Sequence, residues 1–234
     1  MMMVLRFQPG RYIRRRGRDM VLQKKHLIIV CIMMMFCHSD SQSQTLVEIQ
    51  CGVNVAKLSD PGNLISGVHW KTRLGFIGGI STLLSATENV LIHIGLRYVQ
   101  KGVKSEWYSL FYGNVEAMLT NQYIELPLYI KVACADFGTQ VFVFGGPSFS
   151  YLLSSTQTAD TQFMGHISQN SKEDYRSYDI TCDAGLSTST PLNEHISLTV
   201  STLYSFGVVH VSRFESDMAT RDLRIMIGTS FTIQ

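Results

Sequence analysis

The strongest constraint in this sequence is a two-residue rhythm of aliphatic side chains. In the segment YIELPLYIKV, residues 123–132, aliphatic residues occupy every second position, while Glu125, Pro127 and Lys131 lie between them. Successive side chains of an extended chain point to opposite sides, so this period predicts a β-strand with one aliphatic face and one polar face. The period alone does not say which face contacts water.

The same alternation recurs along the whole chain and predicts an all-β fold. We identify eight segments of this kind, near 47–55, 74–80, 90–98, 124–132, 141–153, 178–186, 196–208 and 223–233. The connections between them alternate in length. Long connections are expected near 59–71, 102–122 and 155–177, short ones near 85–89, 135–139 and 190–195, and a moderate one near 212–220.

Alternating long and short connections place all the long loops at one end of an up-and-down sheet. Membrane barrels of the outer-membrane type have this asymmetry, with short periplasmic turns and longer outer loops. Their strands need only about 9–11 residues to cross the bilayer. The sequence therefore predicts an eight-stranded antiparallel up-and-down transmembrane β-barrel.

The polar face carries too little charge for a solvated exterior. In ISLTVSTLYSFGV, residues 196–208, that face is mostly Ser and Thr, which suits a crowded barrel interior. A soluble lipocalin-like ligand-binding barrel, with its aliphatic face inward, is the alternative. Because buried charges must be paired, we expect an interior ion-pair network. The predicted lumen residues are Glu48, Arg73, Arg97, Glu125, Lys131, Asp179, Asp183 and Arg224.

Two further expectations concern particular side chains. Pro127 lacks an N–H group and a closed barrel has no edge strand, so we expect a bulge or a missing interstrand bond there. Aromatic residues on the aliphatic phase near the loop-rich ends predict an interfacial girdle. These residues are Trp70, Tyr98, Phe149, Tyr151, Tyr178 and Phe206.

The N-terminal region has the composition of a targeting segment. Residues 20–44 contain a short basic start and an apolar run and predict a cleaved secretory signal peptide. We interpret residues 1–19 as an over-extended N-terminus and residues 45–234 as the barrel domain. Residues 1–19 hold six arginines and one aspartate, and without them 14 basic and 17 acidic residues remain. The positive balance is therefore local, and no nucleic-acid partner is expected.

Four motifs follow one another along the chain: LRYVQKGVK at 96–104, YIELPLYIKV at 123–132, VFVFGGPSFSYLL at 141–153 and DITCDAGLS at 179–187. In this order they resemble the PorT-like outer-membrane β-barrel family of Gram-negative bacteria. The resemblance covers about 46–233. It implies an eight-stranded barrel in the outer membrane, surrounded by lipid, with no known catalytic apparatus. One family member serves a protein-secretion machinery, so the resemblance leaves open an envelope or secretion-system protein as partner.

The polar and aromatic residues of the predicted loops define the remaining hypotheses. An outer-membrane barrel enzyme is an alternative, but no G-x-S-x-G or H-E-x-x-H motif accompanies the loop histidines. We therefore expect neither catalysis nor a cofactor. The connection SEWYSLFYGNVEAMLTNQ carries four aromatic residues that could bind a partner protein. These are Trp107, Tyr108, Phe111 and Tyr112.

Overall fold

The computed structural model describes residues 45–58, 69–109, 113–163, 165–208 and 220–233. The expected signal peptide and the N-terminal extension lie outside these residues. The side chains of His69, Trp70 and Ser109 also lie outside the described part of the structure.

Eight antiparallel strands close into a ring. Each strand pairs with its neighbours along the chain, and β9 pairs with β1 to complete the circle. A short ninth strand, β6, is not one of the eight strands of the ring and pairs only with the end of β5, at residues 156–161. The earlier part of β5, residues 140–151, pairs with β7, so β5 and β7 are neighbours in the ring. The strands are β1 Thr45–Leu58, β2 His69–Thr87, β3 Val90–Ser109, β4 Gly113–Asp136, β5 Gln140–Thr161, β6 Gly165–Asn170, β7 Tyr178–Pro191, β8 Ile196–Gly207 and β9 Thr220–Ile233.

The ring confirms the predicted fold class, an all-β antiparallel barrel of eight strands. Short turns connect β2 to β3, β4 to β5 and β7 to β8 at one end, which we call the turn end. The opposite end is the loop end. Apart from a 3-10 turn at Lys172–Asp174, the described chain is extended or irregular. None of its described helical structure is long and apolar enough to cross a membrane.

Two of the predicted long connections are wrong in extent. Most of 102–122 is strand, because β3 runs to Ser109 and β4 begins at Gly113. Likewise, β5 continues to Thr161 and is followed by β6 within the predicted connection 155–177. These extensions have polar residues on both faces, as in TNQ at 120–122 and SSTQT at 154–158. The aliphatic alternation is therefore lost although the backbone remains extended.

The outer face of the barrel is aliphatic and the inner face is polar. Outward side chains such as Ile130 and Leu74 are 60% and 71% exposed, whereas the inward Glu125 and Arg224 are fully buried. Parity along each strand decides which residues belong to each face, except that a bulge in β5 moves the inward face from Leu152 to Ser155. This arrangement is the opposite of a soluble barrel and does not support the lipocalin-like alternative.

The aliphatic outer band of β4 matches a membrane crossing. Outward positions from Ile124 to Val132 are aliphatic, a stretch comparable to the ~9–11 residues that a tilted strand needs. Because β4 has 24 residues, about half of it extends beyond this band. There the outer face becomes charged, and Lys104 pairs with Glu116 at 3.0 Å. β2 to β5 therefore form a tall wall on the loop side of the membrane band.

Most of the predicted girdle aromatics face outward. Phe149, Tyr151, Tyr178 and Phe206 are between 43% and 57% exposed, and Tyr98 is half-buried against Phe76, with ring centroids 6.5 Å apart. Their placement at the loop-side edge of the aliphatic band is consistent with an interfacial position, where aromatic rings are favoured. The side chain of Trp70 lies outside the described residues.

The prediction of a missing interstrand bond at Pro127 is confirmed. Pairing between β3 and β4 stops after Ile94–Leu128 and resumes in the same register at Arg97–Glu125. On its other side, Pro127 remains paired with Ser148 of β5. The β3–β4 ladder is therefore interrupted beside Pro127, as expected for a residue without an N–H group, and it contains no bulge there. The β4–β5 ladder is interrupted at the next two residues, Leu128 and Tyr129.

Glycine at position 146 allows β5 to approach β4 beside this interruption. A Cβ atom on Gly146 would lie only 2.1 Å from the carbonyl oxygen of Leu128. Backbones that come this close leave no room for a side chain, so the position requires glycine. The adjacent Pro147 also lacks an N–H group, so both strands are irregular at this level.

Candidate functional site

The carboxylate of Glu125 lies at the centre of the barrel interior. Arg224 donates two hydrogen bonds to it, from Nη1 to Oε1 at 2.6 Å and from Nη2 to Oε2 at 3.0 Å. Arg97 donates from Nη2 to Oε1 at 2.8 Å, and the Ser150 hydroxyl group donates to Oε2 at 3.3 Å. Bidentate arginine–carboxylate pairs of this kind are among the stronger polar interactions in proteins.

These contacts connect opposite walls of the barrel. Arg97 and Glu125 are directly paired residues on the adjacent strands β3 and β4. Arg224 belongs to β9, which is four strands away from β4 in the eight-stranded ring. Its guanidinium group therefore spans the interior, which is only wide enough for side chains in a barrel of this size.

A second carboxylate, Asp183 of β7, extends this set of contacts. It accepts hydrogen bonds from the hydroxyl groups of Ser148 at 2.7 Å and Thr181 at 2.9 Å, and also from Tyr129. The Tyr129 hydroxyl group also accepts a hydrogen bond from Arg97. Tyr129 therefore links the arginine of β3 to the aspartate of β7.

The third part of the network surrounds Lys101 of β3. Its ammonium nitrogen lies 3.0 Å from Asp179 Oδ2 and 3.7 Å from Asp222 Oδ2. Asp222 also accepts a hydrogen bond from Arg224 Nη2 at 3.2 Å. In addition, the Lys101 ammonium lies 5.2 Å from the centre of the Tyr123 ring, within cation–π distance.

We call these seven charged residues the central network. Each of them is at most 3% exposed, and each has at least one partner of opposite charge. Pairing is essential at such burial, because an unpaired charge in the interior costs several kcal/mol, about 3–5 when one partner is removed. The members are Arg97, Lys101, Glu125, Asp179, Asp183, Asp222 and Arg224.

The structure brings together five of the predicted lumen residues and separates the other three. Arg97, Glu125, Asp179, Asp183 and Arg224 belong to the central network.

The remaining three predicted residues occupy other levels of the barrel. Arg73 is half-buried near the loop end, with its Nη1 3.5 Å from the carbonyl oxygen of Lys101. Glu48 and Lys131 face inward near the turn end, where Glu48 lies 3.8 Å from Nδ1 of His93.

Sequence reasoning missed Lys101, Asp222 and Tyr129. The signal for Lys101 was its parity, because it lies four residues beyond Arg97 on the same face of β3. Asp222 likewise shares the face of Arg224, two residues away. The role of Tyr129 could not be predicted, because an aromatic residue is compatible with either face of a strand.

Apolar side chains fill the space around the network. Tyr129 and five other residues form a buried cluster, completed by Ile77, Val99, Phe144, Leu203 and Met226. Closer to the loop end, Tyr175 packs on Val103 and Leu119. The chain leading to Tyr175 is fixed to the wall by Ser171, whose N–H group donates to the Ser155 carbonyl oxygen at 3.1 Å.

Trp107 and Tyr108, two of the four predicted partner-binding aromatics, lie at the rim of the tall wall. Tyr108 at the end of β3 is 68% exposed and Trp107 is half-buried. Phe111 and Tyr112 lie outside the described residues. A shallow surface depression next to Trp107 and Tyr108 is bordered by Glu106, Glu116 and Asp160.

One of the two loop histidines noted in the sequence, His166, has a described side chain. The exposed His166 contacts Asp160, with 2.7 Å between Nδ1 and Oδ1, and the side chain of His69 lies outside the described residues. Within the described chain, no three His, Cys, Asp or Glu residues are grouped so that they could hold a metal ion.

Comparison with known proteins agrees with the barrel fold. Residues 40–213 match the family described as outer membrane protein beta-barrel domain. The chain belongs to this family. No curated protein sequence matches the chain.

Several solved structures of outer-membrane proteins are similar to this chain. A major outer membrane protein from Thermus thermophilus is 10% identical, with a TM-score of 0.50, and the match covers 82% of this chain and 100% of that one. OprG from Pseudomonas aeruginosa is 12% identical (TM-score 0.42; 82% and 96% covered). Ail from Yersinia pestis is 10% identical (TM-score 0.42; 80% and 99% covered). At these identities the likeness concerns the fold alone.

Membership of the family explains the inverted distribution of polarity. An outer-membrane barrel has lipid outside, so its outward side chains are aliphatic and its charges must find partners in the lumen. The central network satisfies this requirement with paired carboxylates, arginines and a lysine. Each of its charged groups has a partner of opposite charge, so the network stabilises the barrel by joining β3, β4, β7 and β9.

The central network predicts a large effect of removing Glu125. Glu125→Ala leaves Arg97 and Arg224 buried with less opposing charge, and we expect the free energy of unfolding to fall by about 3–5 kcal/mol. Glu125→Gln retains hydrogen-bond acceptors and should have a smaller effect. Urea titration of the folded barrel in detergent, followed by its heat-sensitive migration on SDS gels, measures both.

Glu116→Ala provides the matched control. Its carboxylate pairs with Lys104 on the exposed outer face, so its loss should cost no more than about 1 kcal/mol. Equal effects of the substitutions at Glu125 and Glu116 would contradict the role assigned to the central network.

Proposed function

We propose that this protein is a closed outer-membrane barrel with a structural or scaffolding role that presents a partner-binding rim at its loop end. The observation that supports this function most strongly is the filling of the lumen by the central network and its apolar neighbours. Charges that are bound to one another across the bore block the path that a solute would take. The proposal includes no catalytic activity and no cofactor.

A cavity near the centre illustrates how tightly the interior is packed. Between His93 and Arg97 it measures only about 10 Å³. This is close to the minimum volume that holds one water molecule. On the loop side, the packing of Tyr175 on Val103 and Leu119 adds a second obstruction.

The rim of the tall wall is the proposed contact surface for an envelope protein. Tyr108 is exposed beyond the aliphatic band, and exposed aromatic residues are common at protein interfaces. We include Trp107, Phe111 and Tyr112 in this surface because they are close in sequence. A protein of the envelope or of a secretion system fits the PorT-like resemblance of the sequence motifs.

We also propose that a cleaved signal peptide directs the chain to the outer membrane. The basic start and apolar run within residues 20–44 have the layout of a signal peptide that is removed during export. The mature protein would then begin close to Thr45, the first residue of β1.

A closed lumen predicts the absence of solute flux. Vesicles reconstituted with the folded barrel should not swell in isotonic solutions of small sugars or amino acids, because the central network occupies the bore. Vesicles containing a general porin provide the positive control, and a resistant band on unheated SDS gels verifies insertion. Swelling at a rate comparable to that of the porin would contradict the proposal.

If the rim binds a partner protein, substitution of its aromatic residues should abolish that binding. The immobilised mature barrel should capture an envelope protein from detergent-solubilised membranes, and Trp107→Ala combined with Phe111→Ala should abolish the capture while leaving the barrel folded. Tyr178→Ala is the matched control, since it removes an exposed aromatic from the outer face of β7. Unchanged capture by the double variant would show that the rim is not the contact surface.

A further inference from the structure

A separate cavity of about 490 Å³ lies at the turn end of the barrel. Its lining includes Glu88 and Asn89 of the turn between β2 and β3, and Asp136 at the end of β4. In outer-membrane barrels this end faces the periplasm. The cavity has a volume within the usual range for sites of small ligands.

Glu48 is the first of two unusual side chains in this cavity. It is fully buried, and neither of its carboxylate oxygens has a hydrogen-bond partner within the described structure. The nearest basic group is the His93 ring, 3.8 Å away, whose two nitrogens also have no hydrogen bond there. Burial of a carboxylate without hydrogen bonds is unfavourable, so a ligand that brings a hydrogen-bond donor to Glu48 would remove this cost.

Lys131 is the second unusual side chain, on the facing wall. It is 4% exposed, and its ammonium nitrogen lies 5.4 Å and 5.7 Å from the ring centres of Phe142 and Phe144. Within the described chain, none of the ion pairs or hydrogen bonds includes this ammonium group. Lys131 and Glu48 both line the cavity.

The positions of these two groups suggest what they recognise. Glu48 is on β1 and Lys131 on β4, three strands apart around the ring, so the carboxylate and the ammonium approach the cavity from different walls. This differs from the central network, where opposite charges contact one another directly. Leu46, Leu83 and Leu91 also line the cavity.

We propose that the turn-end cavity is a binding site for a small zwitterion with an apolar side chain, such as an aliphatic amino acid. The ligand's ammonium group pairs with Glu48 and its carboxylate pairs with Lys131. Its side chain contacts the three leucines. Glu48 and Lys131 attract each other without direct contact, and the zwitterion places a directly contacting partner of opposite sign beside each of them.

The test uses L-leucine as the probe with the folded mature barrel in lipid nanodiscs. Calorimetry or saturation-transfer NMR should show saturable binding to the unmodified protein. Glu48→Gln and Lys131→Met should each weaken binding about tenfold or more, because each removes one charge-assisted hydrogen bond. If one of the two variants does not fold, the other still tests the proposal.

Two related ligands distinguish a zwitterion site from a site for a single charge. 3-Methylbutylamine lacks the carboxylate of leucine, and 4-methylpentanoate lacks its amine; both should bind at least about tenfold more weakly. Glu116→Gln, at the loop side of β4, should leave leucine binding unchanged. Binding of either singly charged analogue as tightly as leucine, or no saturable leucine binding up to millimolar concentrations, would overturn the proposal.

Discussion

The structure depends on the pairing of Glu125 with two arginines inside a lipid-surrounded wall. A closed barrel in a membrane has no solvent-facing exterior at mid-height, so any charged side chain at this level must be accommodated in the lumen. Glu125 meets Arg97 from the adjacent strand and Arg224 from the opposite wall. Lys101, Asp179, Asp183 and Asp222 extend these contacts around the ring. The network joins strands that share no backbone hydrogen bonds.

The fold was largely predictable because strand parity is a strong signal where lipid lies on one side. At positions such as Ile130 and Ile225 the outer side chain must be apolar, and the inner one is free to be polar. This signal ends where the strands leave the membrane. The loop-side halves of β4 and β5 carry polar residues on both faces, so the sequence predicts loops where the backbone continues as sheet.

The candidate site was only partly predictable, since parity specifies the face of a residue but not its height. Glu48 and Lys131 have the same inward parity as Glu125, yet they lie at the turn end and outside the central network. Arg224 contacts Glu125 because the register around the ring brings them to one level, although they are separated by four strands. Such a contact depends on the stagger of every intervening pair, which no local pattern records.

Methyl NMR of the barrel in detergent micelles with a lipid-soluble spin label tests the inverted polarity most directly. The δ1 methyl groups of Ile130 and Ile225, which are 60% and 49% exposed, should be strongly broadened. The methyl group of Ile77, which is fully buried beside the network, should keep a sharp signal. Broadening of Ile77 together with protection of Ile130 and Ile225 would show that the two faces have been exchanged and would contradict this account.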